Sequence, residues 1–221
     1  VYFIDINGDS LWVNHRGNNI LYQNGNLYNK DGTAYTGKGV KTDKNGNVTG
    51  YKGFLKQAMG ALSEIASGEV GGNMLNEIQN STSNITMVDA TGSGNSYDPG
   101  TNELKFDPSS SLGGLNTQGS RDRPSFIGLG HEMAHGLDDM RGTLNLRTIP
   151  GQRFTYAEHF ATHMENQLRS EHTLPLRQFY EVNLQTGAGA YPLINGAGQS
   201  LFYNNFNYFK KMPSRELDPT T

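Results

Sequence analysis

A chain of 221 residues is long enough to bury one substantial core, and its net charge of −3 gives no reason to expect a nucleic acid or an anionic membrane as partner. It has no cysteine, which removes disulfides, thiolate nucleophiles and thiolate metal sites together and leaves histidine and carboxylate as the good zinc ligands. No apolar run approaches the roughly 20 residues of a membrane span.

The opening residues Val1 to Ile6 lack a starting Met and a basic leader, so the chain reads as a fragment of something longer. Up to residue 52 it reads as short strands and turns. Asn24-Gly25, Asp31-Gly32 and Asn45-Gly46 are hairpin signals, and Tyr22, Leu27, Tyr28 and Tyr35 supply a half-buried face. This segment is expected to be a β-rich extension, either capping the next domain or joining it to an upstream carrier.

From residue 53 onward a second domain is expected. Helical spacing of Phe54, Leu55, Ala58, Leu62 and Ile65 predicts a helix over 54–66, and a second helical piece over 73–78 comes after a break at Gly71-Gly72. Residues 85–88 read as a strand, then come a glycine- and serine-rich turn over 91–96 and an alternating strand over 103–106. Residues 109–120 read as a mobile small-residue loop.

The segment 126–137 contains His131-Glu132-Met133-Ala134-His135, an H-E-x-x-H motif. Histidines at i and i+4 project from one face of a helix and can chelate one ion. Glu132 lies about 100° round from His131, where it reaches a water on the ion rather than the ion itself. Phe126, Leu129, Met133, Leu137 and Met140 keep the helical period, Asp122 and Pro124 mark a start, and Gly142 marks a stop.

A catalytic zinc takes three protein ligands, so another donor is needed. The H-E-x-x-H-x-x-G-x-x-H class is excluded by Asp138 and Arg141 at the positions of its glycine and third histidine. A helix over 156–170 offers Glu158 and Glu165 instead. Glu158 also fits a capping box with Thr155, and Glu165 a surface pair with Arg169. A ligand near the helix start favours Glu158, with Glu165 behind it. His159 and His163 form a second i, i+4 pair without an adjacent glutamate and read as packed or surface histidines, though they leave an unusual ligand set open. His15 and His172 have no ligand context. After the helix, Arg177 and Tyr180 form R-x-x-Y, a guanidinium and a phenol suited to stabilising an oxyanion. The tail from Tyr180, rich in glycine, asparagine and aromatics, is expected to wrap the domain. If the site is a peptidase, residues 104–106 are the candidate edge strand to which an extended substrate adds.

The H-E-x-x-H at 131–135, Ala157-Glu158-His159-Phe160-Ala161, the run from Glu165 to His172, Leu174-Pro175-Leu176-Arg177 and Tyr180 together resemble the zinc metallopeptidases of the NleD type of injected bacterial effectors. Similar domains occur at the C-terminus of Rhs-type toxins, and the order of motifs is also similar to that of clostridial neurotoxin light chains. The resemblance is good over about 102–180, weaker from 54, and negligible in the last forty or so residues. It implies zinc on His131, His135 and Glu158, Glu132 as base, and Arg177 and Tyr180 as oxyanion donors. The expectation is therefore an α+β, zincin-like endopeptidase with an active-site helix, a small β-sheet and a hairpin-rich N-terminal extension. A secreted or delivered toxin or effector would cleave a target-cell protein held extended. An immunity protein and an upstream carrier are candidate partners. Two rival readings are a zinc-stabilised binding module without catalysis and a peptidase acting on cell-wall peptides.

Overall fold

The structure, a computed structural model, describes residues 11–204 and 206–209; Val1 to Ile6, and the fragment reading that rests on them, lie outside these. The chain is mixed α+β. Its main sheet has six strands in the order β3-β2-β1-β6-β8-β7: β1 Leu11–His15, β2 Asn18–Gln23, β3 Asn26–Tyr28, β6 Ile85–Asp89, β7 Ser96–Asp98 and β8 Glu103–Phe106. A hairpin of β4 Val40–Thr42 and β5 Val48–Tyr51 stands apart, as does one of β9 Phe179–Val182 and β10 Gly189–Pro192.

Period-two burial explains the strands. In β1, Leu11, Val13 and His15 are buried while Trp12 and Asn14 are less so. In β6 and β8 the fully buried residues are Ile85, Met87, Leu104 and Phe106. The β2–β3 turn is built by Asn24 and Gly25, both at positive φ (47° and 79°), as a tight right-twisted hairpin requires.

β1 runs parallel to β6, with Leu11 opposite Ile85 and Val13 opposite Met87. Leu11, Val13, Ile20, Tyr22 and Leu27 sit in one core cluster with Phe54, Leu62, Met87, Leu129 and Leu168. The segment read as an extension thus contributes half of the main sheet, and the expected division at residue 52 falls within one core.

The expectation for residues 104–106 is corrected. β8 is not an edge: it pairs with β6 on one side and with β7 on the other. Residues 96–98, at the end of what reads as a turn, fold back and cover it, so β7 is the edge strand. Residues 109–120 are also not free. Asn116 is buried and its side chain accepts from the amides of Gln118 and Ser120, while Thr117 N donates to Leu176 O at 2.9 Å.

Four helices complete the described residues: α1 Gly53–Ser67, α2 Glu69–Gln79, α3 Ser125–Met140 and α4 Tyr156–Glu171. α2 begins before the glycine pair that reads as a break, because its first amides are capped from a distance. The Glu171 carboxylate accepts from Val70 N (2.8 Å) and Gly71 N (3.1 Å). α3 is buried on nearly every side from Ile127 to Asp138. Close approach needs small residues there: a Cβ on Gly130 would lie 2.4 Å from Leu168 of α4, and one on Gly136 would lie 2.4 Å from Ile85 of β6. These two glycines let α3 lie tight between sheet and α4. No helix among the described residues is long and apolar enough to cross a membrane.

Candidate metal centre

The side chains that could hold a metal come from α3 and the first turn of α4. His131 and His135 project from one face of α3, their rings 5.0 Å apart and nearly perpendicular. α4 starts at a half-formed capping box: Thr155 Oγ1 accepts from Glu158 N at 3.2 Å. The Glu158 side chain does not return to the Thr155 amide. It turns to the histidines, placing Oε2 at 3.1 Å from His131 Nε2 and Oε1 at 3.4 Å from His135 Nε2.

The three donor atoms all lie within 4.8 Å of one another. Zn–N and Zn–O bonds near 2.1 Å at a tetrahedral angle would separate their ligand atoms by about 3.4 Å. Two imidazole nitrogens and one carboxylate oxygen at these spacings fit zinc, and among the described residues no fourth donor joins the group. Glu132 follows His131 in the same buried turn, and its carboxylate makes no hydrogen bond among the described residues.

Glu165 lies on the other side of the His131 ring. Its Oε2 is 3.2 Å from His131 Nδ1 and accepts from Arg177 Nη1 at 2.9 Å, while its Oε1 accepts from Arg169 Nε at 2.9 Å. A wholly buried carboxylate survives there because two guanidiniums share it. Burial works against its charge, yet Arg177 and Arg169 hold the carboxyl well below the usual carboxylate range. As an ionised acceptor it fixes the Nδ1 proton of His131 and frees Nε2 for a metal. Without a metal, His131 stands between two carboxylates. Burial disfavours its charge, but hydrogen bonds to Glu158 and Glu165 prevail and push it up to about 9.

Arg177, expected as an oxyanion donor, is turned towards Glu165. Its guanidinium lies on the Nδ1 side of His131, away from Nε2, and three of its five N–H donors are engaged: Nη1 to Glu165, Nη2 to Tyr180 O at 2.8 Å and Nε to Phe179 O at 3.4 Å. Its backbone is clamped too, Arg177 N donating to Asn166 Oδ1 and Asn166 Nδ2 to Arg177 O. Arg177 thus holds the Glu165 carboxylate and the Tyr180 carbonyl in place. Tyr180, on β9, brings its phenol to Glu158 and stacks on Phe154 with ring centroids 4.1 Å apart. Burial first, then the Glu158 charge, raise its pKa and keep the hydroxyl protonated.

His159 and His163 are packed. His163 stacks on Tyr203 at 3.9 Å, and its Nδ1 meets Tyr208 Oη at 2.7 Å. His159 packs against Phe154 and Phe202. The tail forms a small second core of Phe154, Leu176, Leu193, Ile194 and Tyr208, with Tyr180 against its edge. Asp138 accepts from the Thr143 hydroxyl and Asp139 from Tyr97 Oη at 2.8 Å, so both brace the end of α3.

Arg123 carries no signal in the sequence. It precedes the helix by two residues and shows no periodicity, so only the fold reveals its neighbours.

The sequence model of Peptidase_M91, described as effector protein, matches residues 42–162. The match spans the H-E-x-x-H motif and Glu158 and ends before Glu165, Arg177 and Tyr180. No curated protein and no solved structure matches the chain.

Proposed function

The chain belongs to the Peptidase_M91 family of effector proteins, and from that premise we propose that it is a zinc-dependent endopeptidase of zincin type. The proposed substrate is a protein of the cell into which it is delivered, held as an extended segment. The observation that carries this reading is the convergence of His131, His135 and Glu158 to within 4.8 Å with Glu132 beside them on α3.

His131 and His135 would hold zinc through Nε2, and Glu158 through its carboxylate. When bound, zinc supplies Lewis acidity towards the attacking water and the scissile carbonyl. Glu132 takes a proton from that water as its oxygen bonds to the carbonyl carbon, and returns it to the amine as the C–N bond breaks. Tyr180 donates its hydroxyl to the oxyanion formed on the substrate, the role its protonated phenol beside Glu158 suits. Glu165 holds the His131 tautomer, and Arg177 holds both Glu165 and the Tyr180 backbone.

The test compares wild type with Glu132→Gln and Glu158→Ala, measuring zinc by elemental analysis and new N-termini in a protein mixture by mass spectrometry. Wild type and Glu132→Gln are expected to hold zinc, and Glu158→Ala to lose it. Cleavage by Glu132→Gln should fall about 10²–10⁴-fold, the usual contribution of a general base. Near wild-type cleavage by that variant would overturn the mechanism. A zinc-loaded wild type that cleaves nothing, in proteins or in cell-wall peptides, would leave a metal-organised binding module.

A further inference from the structure

We infer that Arg123 is a substrate-recognition residue whose guanidinium takes a carboxylate of the bound peptide next to Glu132; the inference rests on the peptidase reading above. Arg123 lies just ahead of α3, and its guanidinium lies across Gly128. A Cβ on that glycine would stand 3.2 Å from Arg123 Cζ and Nη2. Gly128 and Glu132 are i and i+4, so they share a helix face, with the base about 6 Å further along the axis.

Among the described residues the charge of Arg123 has no close counter-ion. Among the described residues its guanidinium makes one hydrogen bond, from Nη2 to Ser110 Oγ at 3.1 Å, and its Nε is enclosed without a partner. The ion pairs of the described residues do not include it. The contrast with Arg169 and Arg177 is direct, since those two share the Glu165 carboxylate. Partly withdrawing a guanidinium from water with only a neutral hydroxyl as partner is costly, and such a group is well placed to receive an anion. Glu132 and Glu165 act on Arg123 only across a distance.

The neighbouring polar atom is also a donor. Asn95 Nδ2 is enclosed without a partner and lies 2.5 Å from the same point above Gly128. The other end of that amide is used: Asn95 Oδ1 accepts from Asp107 N at 2.7 Å. Unpaired donors with a net positive charge favour an anionic acceptor, and a guanidinium suits the planar carboxylate best. Access comes from the sheet. Asn95 immediately precedes the edge strand β7, and Arg123 is only half-buried. A peptide added to that edge would pass Asn95 and Arg123 within a helical turn of the base. The carboxylate could belong to an Asp or Glu side chain or to the end of the peptide chain.

Two peptide libraries separate these sources, one with blocked ends and internal Asp, Glu or neutral residues, the other neutral with free or amidated C-termini. Each is cleaved by zinc-loaded wild type, Arg123→Ala, Arg123→Gln and Arg123→Glu, after a check of folding and zinc content. Wild type should favour carboxylate-bearing peptides at one fixed distance from the cut by about 10- to 100-fold, the range of a hydrogen bond between charged groups. In Arg123→Ala and Arg123→Gln that ratio should fall to near one. In Arg123→Glu it should turn towards Lys and Arg. Preference confined to the blocked library identifies a side chain; preference confined to free C-termini identifies the chain end. Indifference of wild type to carboxylates in both libraries, or a wild-type ratio in folded Arg123→Gln, would overturn the assignment. Absence of any cleavage by zinc-loaded wild type is a separate result that removes the peptidase reading and this inference with it.

Discussion

Glu158 and Glu165 stand two turns apart on α4, and the two edges of one imidazole distinguish them. Glu158 faces Nε2 of His131, the metal side, whereas Glu165 faces Nδ1. The consequences of losing each differ in kind. Glu165→Gln leaves two buried guanidiniums without their shared carboxylate, and breaking such a pair costs about 3–5 kcal/mol of folding stability. It also loosens the His131 tautomer, which lowers metal affinity about 10- to 100-fold. Glu158→Ala should remove zinc while leaving stability in chelator far less affected. Urea melts in chelator, with zinc competition for each variant, check this; equal destabilisation by both substitutions would reject the division of roles. The H-E-x-x-H part of the site is legible in sequence because i, i+4 geometry is local. Choosing between the glutamates relies on one cue, the place of Glu158 near the start of the helix, while Thr155 ahead of it offers that glutamate a competing role in a capping box. Arg177 is less legible for a related reason: R-x-x-Y places both groups near the site without indicating which way the guanidinium turns, and in the fold it turns to Glu165.

At the level of elements, α4 serves two cores at once. Its Ala161, Met164 and Leu168 enter the main core, while His163 turns to the aromatic tail, under Tyr203, Phe206 and Tyr208. Burial, with a smaller contribution from His159, lowers His163 from 6.5 to about 3. The folded chain therefore holds this ring neutral where the unfolded chain would protonate it. The stability associated with a neutral His163 is fully present above about pH 6.5 and is lost as pH falls towards 3, by up to about 1.4 kcal/mol per pH unit. Replacing the ring with a group that does not titrate, in His163→Asn, should lower stability at pH 7 and flatten its decline between pH 6.5 and 5. Denaturant midpoints across that range are the measurement, and an unchanged slope would show that the tail does not clamp this histidine. The i, i+4 spacing of His159 and His163 copies that of the metal pair, so spacing alone cannot assign them. The aromatic partners that do so arrive from 40 residues further along, as with Tyr208 hydrogen-bonded to His163 across a separation of 45.

For the whole molecule, what the sequence conceals is pairing over distance. The alternation in β6 and β8 is readable, since Ile85, Met87, Leu104 and Phe106 recur every second residue. That Ser96–Asp98 returns to cover β8, and that Leu11–His15 slots in beside β6, depends on contacts no local window contains. The hairpin signals around Gly25 identify strands but not the sheet they join, which is why an N-terminal extension is the natural reading of the sequence. The same facts predict the outcome of cutting there. A fragment of residues 53–221 would lack Leu11, Val13, Ile20, Tyr22 and Leu27, all within the main core. Burying each such side chain is worth about 1.5–3 kcal/mol, so the five together rival the roughly 5–15 kcal/mol by which a whole domain is stable. The cut would also bare the backbone edge of β6, which pairs with β1 in the intact chain. The fragment retains all the residues of the candidate metal centre, so residue chemistry alone would allow it to bind zinc and cleave. We expect instead a collapsed or aggregating chain that binds the dye ANS and shows poor amide dispersion by NMR, with no specific zinc site. A well-dispersed spectrum with zinc bound tightly would mean that α1 to α4 and β6 to β8 hold the site unaided, and would restore residue 52 as a domain boundary.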